Sequence, residues 1–238
     1  MMTTMTMKMS RPGHPATLSA AFASLFPAGV VAAELRTPGD PSLLEPEEAL
    51  AVAHAVPGRV QEFAAGRLCA RRALAEFGIV DFPVRAGRDR QPIWPEFLVG
   101  SVTHTQGICA AVLAARTHLA AIGVDTEVAV AVKRELWAGI CVSAELAWLE
   151  SLETAAPAAA LIFSAKEALY KCLYPLWGAR LNFHDVRVTV PDWPRSQGVL
   201  HIAPARPIAL SAALCATYRL HEEFVSTAVF VPAEPGAR

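Results

Sequence analysis

Between Leu98 and Glu127 the chain passes through three strand-like stretches in quick succession: Leu98 to His104, Ile108 to Ala114 and Ala120 to Glu127. The first two are separated only by Thr105-Gln106-Gly107, a link that predicts a hairpin. Three strands this close commit the centre of the chain to a sheet. Helical signals lie on either side of it. A helix is expected to start near Glu47, because Pro46 suits a first helical turn. A second is expected from about Val60 to Phe77, with Phe63, Leu68, Ala70 and Leu74 on its apolar side and Gly78 as its stop. Further helices are expected at about 143–153 and 164–174, and strands at Val186–Val190, Leu214–Leu220 and Phe224–Val231. Strands and helices in both halves mean α+β or mixed α/β. Residues 37–46 and 85–96 carry the turn formers of loops, and residues 1–17 read as a loose tail.

Composition removes several function classes. The chain has 238 residues, 53% hydrophobic and 18% charged, enough to bury a sizeable core. Its formal net charge of −1 does not indicate a strongly basic nucleic-acid binder. No apolar run approaches the ~18 residues of a transmembrane helix, and Met1 to Pro15 has no apolar core of a secretory signal. The five cysteines are odd in number, widely spaced and form no CxxC pair. A zinc site and a disulfide framework are therefore not expected. A cytoplasmic protein whose cysteines fill apolar positions is.

Two segments can carry chemistry. In Gly123-Val124-Asp125-Thr126-Glu127 the alternation of a strand puts Asp125 and Glu127 on one face. Neighbouring carboxylates repel unless a cation lies between them, and Mg²⁺ suits an all-oxygen set. Two solvated acids at a strand end would look the same. In Phe163-Ser164-Ala165-Lys166-Glu167-Ala168-Leu169-Tyr170-Lys171, Glu167 and Lys171 share a helix face. Here Ser164-x-x-Glu167 also fits a capping box at a helix start, with Glu167–Lys171 as a structural ion pair.

Taken together and in this order, the two segments resemble the signature of the Sfp-type 4′-phosphopantetheinyl transferases, with Glu127 and Glu167 40 residues apart. Three more blocks agree. They are Arg59-Val60-Gln61-Glu62-Phe63 with Gly66-Arg67 and Ala70-Arg71, Gln91-Pro92-Ile93-Trp94-Pro95, and Gly100-Ser101-Val102-Thr103-His104. These resemble the subgroup of enterobactin synthase component D and the mycobacterial enzyme PptT. The likeness covers roughly residues 45–190.

The resemblance implies an α+β fold of two similar subdomains related by a pseudo-twofold axis, with the cofactor cleft between them. The crossover would fall near residue 117, dividing an N-terminal half (18–117) from a C-terminal half (118–238). It implies transfer of phosphopantetheine from coenzyme A to a serine of an apo acyl or peptidyl carrier protein, releasing adenosine 3′,5′-bisphosphate. Siderophore or other nonribosomal peptide synthesis is the favoured setting. Asp125, Glu127 and Glu167 would hold Mg²⁺, or Mn²⁺, with Thr126 contributing through its backbone or a water. Asp125 would also lie against the cofactor. Glu167 would accept the serine proton, and Lys171 would stabilise the leaving phosphate, with Lys166 doing similar work. Arg59 and Arg67 match positions at the nucleotide end, and Thr103 and His104 match the strand end that contacts a coenzyme A phosphate. Where PptT has a lysine, this chain has Ala86, so that contact would be lost or supplied by Arg88 or a neighbouring arginine. Trp94 reads as packing. A monomer is expected, docking a carrier whose serine lies beside an acidic helix. Two other readings compete. One is a non-catalytic protein that binds coenzyme A or a carrier. The other is a different metal-dependent phosphate enzyme, which the lack of a GxxxxGK[ST] loop weakens.

Overall fold

The computed structural model of the chain describes residues 15–178, 181–205, 214–221 and 223–234. Most of the expected 1–17 tail lies outside the described residues, but Thr17 is already part of a strand.

The first half is built from β1 (Thr17–Leu18), α1 (Ala20–Ala23), β2 (Val31–Leu35), α2 (Pro46–Ala49), α3 (Pro57–Ala75), β3 (Leu98–Thr105) and β4 (Ile108–Ala115). Its four strands form an antiparallel sheet in the order β1-β2-β4-β3. The second half comprises β5 (Leu119–Val128), α4 (Trp137–Ile140), α5 (Ser143–Glu150), α6 (Ala156–Trp177), β6 (Val186–Thr189), β7 (Gln197–Val199), β8 (His201–Pro204), β9 (Cys215–His221) and β10 (Phe224–Pro232). Here the antiparallel sheet runs β5-β10-β9-β7, and β6 and β8 form a separate ribbon. The architecture is α+β.

The layering follows from strand alternation. In β4, Cys109, Ala111 and Leu113 face α3, where they pack on Leu68, Cys69, Ala73 and Leu74. Ala110, Val112 and Ala114 face the other way, onto Ile122 and Val124 of β5 and Ala228 and Phe230 of β10. In β10 the opposite face, Val225, Val229 and Val231, packs on α6 through Leu161, Leu169 and Leu173. The order of layers is thus helix, sheet, sheet, helix. Leu113 is 0% exposed, and truncating such a residue to alanine costs about 2–5 kcal/mol. No described helix is long and apolar enough to cross a membrane.

The two sheets meet where β3 runs beside β5, and backbone pairing does not join them. Instead the Val124 N–H donates to Ser101 Oγ at 3.1 Å, and the Thr126 N–H donates to Thr103 Oγ1 at 2.9 Å. Alternate hydroxyls of one strand thus satisfy alternate amides of the other.

Most expected elements form within a few residues of their expected limits. The hairpin turn is Gln106-Gly107, and Gly107 has the positive φ of +89° that a tight turn favours. Gly78, φ +75°, follows the end of α3. The proline-led helix at residue 46 is a single short turn followed by a 3₁₀ segment.

One expectation is overturned. The helix carrying Glu167 begins at Ala156, so Ser164 sits in its interior and caps nothing. Its hydroxyl instead meets Thr227 Oγ1 of β10 at 2.8 Å. Pro157 fits the first turn, and alanines 158–160 with Leu161 and Ile162 are strong helix formers or buried packing residues, which extends the helix upstream.

Candidate active site

A cleft of about 710 Å³ opens between the two halves. One wall is α3, the 50–55 segment and the 86–92 loop; the other is the C-terminal half of α6, through Tyr170, Lys171, Tyr174 and Pro175.

Glycine 123 brings the second wall into position. A Cβ at Gly123 would lie 2.0 Å from the Ala168 carbonyl oxygen and 2.7 Å from the Cys172 nitrogen. Only a residue without a side chain lets α6 ride this close to β5. The next side chains on that face of the strand are Asp125 and Glu127, and they meet Glu167 and Lys171 of the helix electrostatically. Asp125 is buried, and its Oδ1 accepts from Lys171 Nζ at 2.7 Å and from Thr103 Oγ1 at 3.3 Å. Its Oδ2 is buried without a partner. Lys171 also donates to the Val124 carbonyl at 3.3 Å.

One ammonium therefore serves three carboxylates. Burial and the charge of Asp125 push the Glu127 carboxyl up to about 7, against the pull of Lys171. Burial likewise raises Glu167, with Lys171 opposing and Asp125 reinforcing the shift. Among the described residues, no three His, Cys, Asp or Glu side chains form a ready-made metal cage.

On the opposite wall Arg67 is only 4% exposed, with its guanidinium carbon 4.0 Å above the Phe63 ring. Its Nε and Nη2 are buried without partners, and desolvation pulls its pKa down to about 10. Arg59 Nη1 lies 2.7 Å from His104 Nε2 and 3.1 Å from Glu62 Oε2. Glu62 Oε2 lies 3.2 Å from the same Nε2, so this ring nitrogen faces both a cationic donor and an anionic acceptor, and its role depends on the tautomer. Burial, then Arg59, holds His104 below its ordinary value.

Arg59, Arg67, His104 and Lys171 line the cleft, and Asp125, Glu127 and Glu167 cluster electrostatically around Lys171. Three of the expected site residues, Lys166, Thr103 and Arg88, are placed otherwise, and Thr126 keeps only the expected main-chain route. Lys166 is sealed in, 2% exposed, with its ammonium donating to Glu145 Oε2 at 2.7 Å, the Phe183 carbonyl at 2.8 Å and the Ile140 carbonyl at 2.9 Å. All three donors are spent, so Lys166 does not reach a phosphate in the cleft. The Thr126 side chain points to the other face of β5, 2.7 Å from Ser226 Oγ, as alternation requires. Thr103 is fully buried and orients Asp125 and the Thr126 amide. Arg88 sits at the exposed tip of a narrow turn closed by the Gly87 N–H on the Gln91 carbonyl, and Arg90 is the arginine of this loop that lines the cleft. Trp94 packs on Gly100, donates to its carbonyl at 2.8 Å and also lines the cleft.

The sequence reading missed Tyr174, whose hydroxyl donates to Asp89 Oδ2 at 2.6 Å across the cleft mouth. It also missed Glu48 and Glu145, both buried acids. Each stands three residues after a helix N-cap, a spacing visible in the sequence.

Comparison with known proteins bears on this geometry. The family model of the 4′-phosphopantetheinyl transferase N-terminal domain matches residues 46–114, and that of the 4′-phosphopantetheinyl transferase superfamily matches residues 121–221. The chain is 41% identical over 177 residues to the 4′-phosphopantetheinyl transferase Svp of Streptomyces mobaraensis, covering 71% of this chain and 72% of that protein. It is 36% identical to the 4′-phosphopantetheinyl transferase PptT of Mycobacterium tuberculosis over 60% of this chain and 64% of that protein. Enterobactin synthase component D of Escherichia coli is 34% identical over 62% of this chain and 69% of its own length. The chain belongs to the 4′-phosphopantetheinyl transferase superfamily.

Proposed function

We propose that this protein transfers the 4′-phosphopantetheine group from coenzyme A to a serine of an apo acyl or peptidyl carrier protein, releasing adenosine 3′,5′-bisphosphate. One observation carries the reading. Arg67, buried with two unpartnered nitrogens, lines the cleft between the two halves, and Asp125, buried with an unpartnered Oδ2, is bound at 2.7 Å to Lys171, which lines the same cleft. A ligand that brings phosphates to Arg67 and a cation to Asp125 satisfies both. Likeness to enterobactin synthase component D favours a siderophore or other secondary-metabolite pathway for this chain too.

The donor set fits magnesium. Asp125, Glu127 and Glu167 offer only carboxylate oxygens, Asp125 Oδ2 has no other partner, and burial, reinforced by repulsion from Asp125, raises Glu127. Mg²⁺ takes few protein ligands and completes its shell with phosphate and water, which suits carboxylates that form no closed cage. Asp125, Glu127 and Glu167 would hold it, with Mn²⁺ as the alternative and the Thr126 main chain as the only part of that residue facing the right way. When bound, the ion neutralises charge on the pyrophosphate.

The chain's own residues do the rest. Arg67 and Arg59 receive phosphate through the planar fork of the guanidinium. His104 lies beside Arg59 on the same wall. Glu167, raised by burial, accepts the proton of the carrier serine, directly or through a water. The serine oxygen forms the new bond to the phosphorus bearing phosphopantetheine as the pyrophosphate bond breaks, and Lys171 meets the charge on the leaving side. The reading also takes the two helix-on-sheet halves, divided in the 116–118 turn, as pseudo-twofold relatives, and the protein as a cytoplasmic monomer.

Purified protein, coenzyme A, Mg²⁺ and a panel of apo carrier domains test this by intact mass. The expected result is a phosphopantetheine adduct that EDTA abolishes. Bound coenzyme A with no modified carrier across the panel would overturn transfer in favour of a binding protein.

A further inference from the structure

Two buried carboxylates take no part in the chemistry above, and they occupy matching places. Glu48 of α2 is 0% exposed and Glu145 of α5 is 2% exposed. In each, Oε2 accepts the N–H three residues upstream, Glu45 at 3.0 Å and Val142 at 2.8 Å. Each Oε2 also accepts a cation from the long helix of its own half, Arg71 of α3 for Glu48 and Lys166 of α6 for Glu145. Each Oε1 accepts a valine amide from farther along the chain, Val84 at 2.9 Å and Val188 at 2.6 Å.

What the two clamps join differs. Glu48 gathers the segments of one cleft wall. α2 leads into residues 50–55, Val84 opens the 86–92 loop, and Arg71 lies one helical turn from Arg67. Arg71 also donates to the Leu43 carbonyl. Glu145 gathers α5, α6 and β6, and it does so at the residue preceding Glu167. Fixing the azimuth of Lys166 on a helix fixes that of Glu167 and Lys171. Buried ion pairs are poor stabilisers next to apolar packing, but their directional bonds forbid the rotation and slip that apolar contacts tolerate.

We infer that Glu48 and Glu145 are paired positioning residues, Glu48 aligning the arginine wall that receives the coenzyme A nucleotide and Glu145 aligning Glu167 and Lys171 for transfer. The inference rests on the proposed transfer activity. Its test uses the full chain, steady-state kinetics with coenzyme A and an apo carrier, and calorimetric binding of coenzyme A, whose stoichiometry counts folded molecules. Glu48→Gln is expected to raise KM for coenzyme A roughly tenfold or more while kcat holds within about twofold. Glu145→Gln is expected to lower kcat by roughly ten- to a hundredfold at full binding stoichiometry and near-normal affinity. Unfolding alone produces neither pattern, since it lowers stoichiometry and leaves KM unchanged. If Glu48→Gln does not fold, Arg71→Lys keeps the charge but loses the fork, and a smaller rise in KM is expected. Wild-type kinetics for both variants at full stoichiometry, or a common loss of kcat with KM unmoved, would overturn the inference while leaving the transferase reading intact. A wild-type protein that binds no coenzyme A would overturn that reading and the inference with it.

Discussion

The two cleft walls are made from the same parts and handle charge in opposite ways. On the α3 wall the cations outnumber their partners. Arg67 is buried with two idle nitrogens, and the side chain of Arg71, the clamp cation, is still 13% exposed. On the α6 wall the anions are in excess. Asp125, Glu127 and Glu167 share Lys171, and the side chain of the clamp cation Lys166 is only 1% exposed with every donor used. The contrast shows where each wall is left incomplete. The first has cationic capacity to spare and the second anionic, so on the proposed reading a metal-bound phosphate ester would complete both at once. It also shows which wall is more firmly held, because the clamp behind the reacting groups has no solvent-facing slack.

The sharpest way to break this comparison is to silence the acidic wall alone. Glu167→Gln is expected to reduce transfer by roughly 10²–10⁴-fold, the range for loss of a general base, while coenzyme A still binds by calorimetry. Retained turnover would remove Glu167 from the chemistry. Next comes the packing that sets each wall's distance. Gly123→Ala forces a methyl group onto the α6 backbone and is expected to cost about 1–3 kcal/mol, read as a fall in Tm, together with most of the activity. Gly66→Ala on α3 meets the Val102 side chain at 3.1 Å and Cys109 Sγ at an ordinary 3.9 Å, neither of them backbone, and is expected to cost clearly less. Equal losses at the two sites would mean that the walls are equally rigid.

Arg67→Met separates stability from function. Removing a buried guanidinium whose Nε and Nη2 lack partners is expected to raise the stability of the ligand-free protein by about 1–3 kcal/mol, less what the contact with the Phe63 ring contributes, while weakening coenzyme A binding. A variant that loses both would show that Arg67 holds the fold. The smallest effect is a proton. His104 titrates below its ordinary value because burial and Arg59 disfavour its charge. Its contribution to stability is therefore complete above the unfolded value of about 6.5 and is lost as pH falls through the lower folded value. A phosphate placed beside it favours the charged ring. In an NMR titration, coenzyme A is expected to move the His104 midpoint upward and to take up a fraction of a proton near pH 6; an unmoved midpoint would place the phosphates elsewhere.

The parts that were legible in the sequence are those set by neighbours along the chain. Alternation alone put Asp125 and Glu127 on one face, and the same rule, applied to Thr126, turns that side chain away. The hairpin could be read because Gln106-Gly107 is a turn between two apolar runs. What was hidden depends on partners far along the chain. Lys166 has the look of a surface lysine beside a catalytic glutamate, and only the fold brings Glu145 and the Phe183 carbonyl onto its ammonium. The depth of Arg67 is hidden in the same way, because the 50–55 segment and the 86–92 loop that line its cleft with it are distant in sequence. The start of α6 was misplaced for a different reason. Ser164-x-x-Glu167 has the spacing of a cap, and the alanines ahead of it fit a helix as well as a loop until the sheet that buries them is known.

The side-chain seam between β3 and β5 has a consequence beyond holding the halves together. Each strand is the outermost member of its own sheet, and an outermost strand with bare amides is a template on which other chains can stack and aggregate. In this molecule the two vulnerable edges are turned toward each other, with the Ser101 and Thr103 hydroxyls occupying the amides that would otherwise be bare. A halving of the protein at the 116–118 turn would uncover both edges together. The Thr103 hydroxyl that orients Asp125 is thus, together with that of Ser101, also a guard on edges that would otherwise invite self-association.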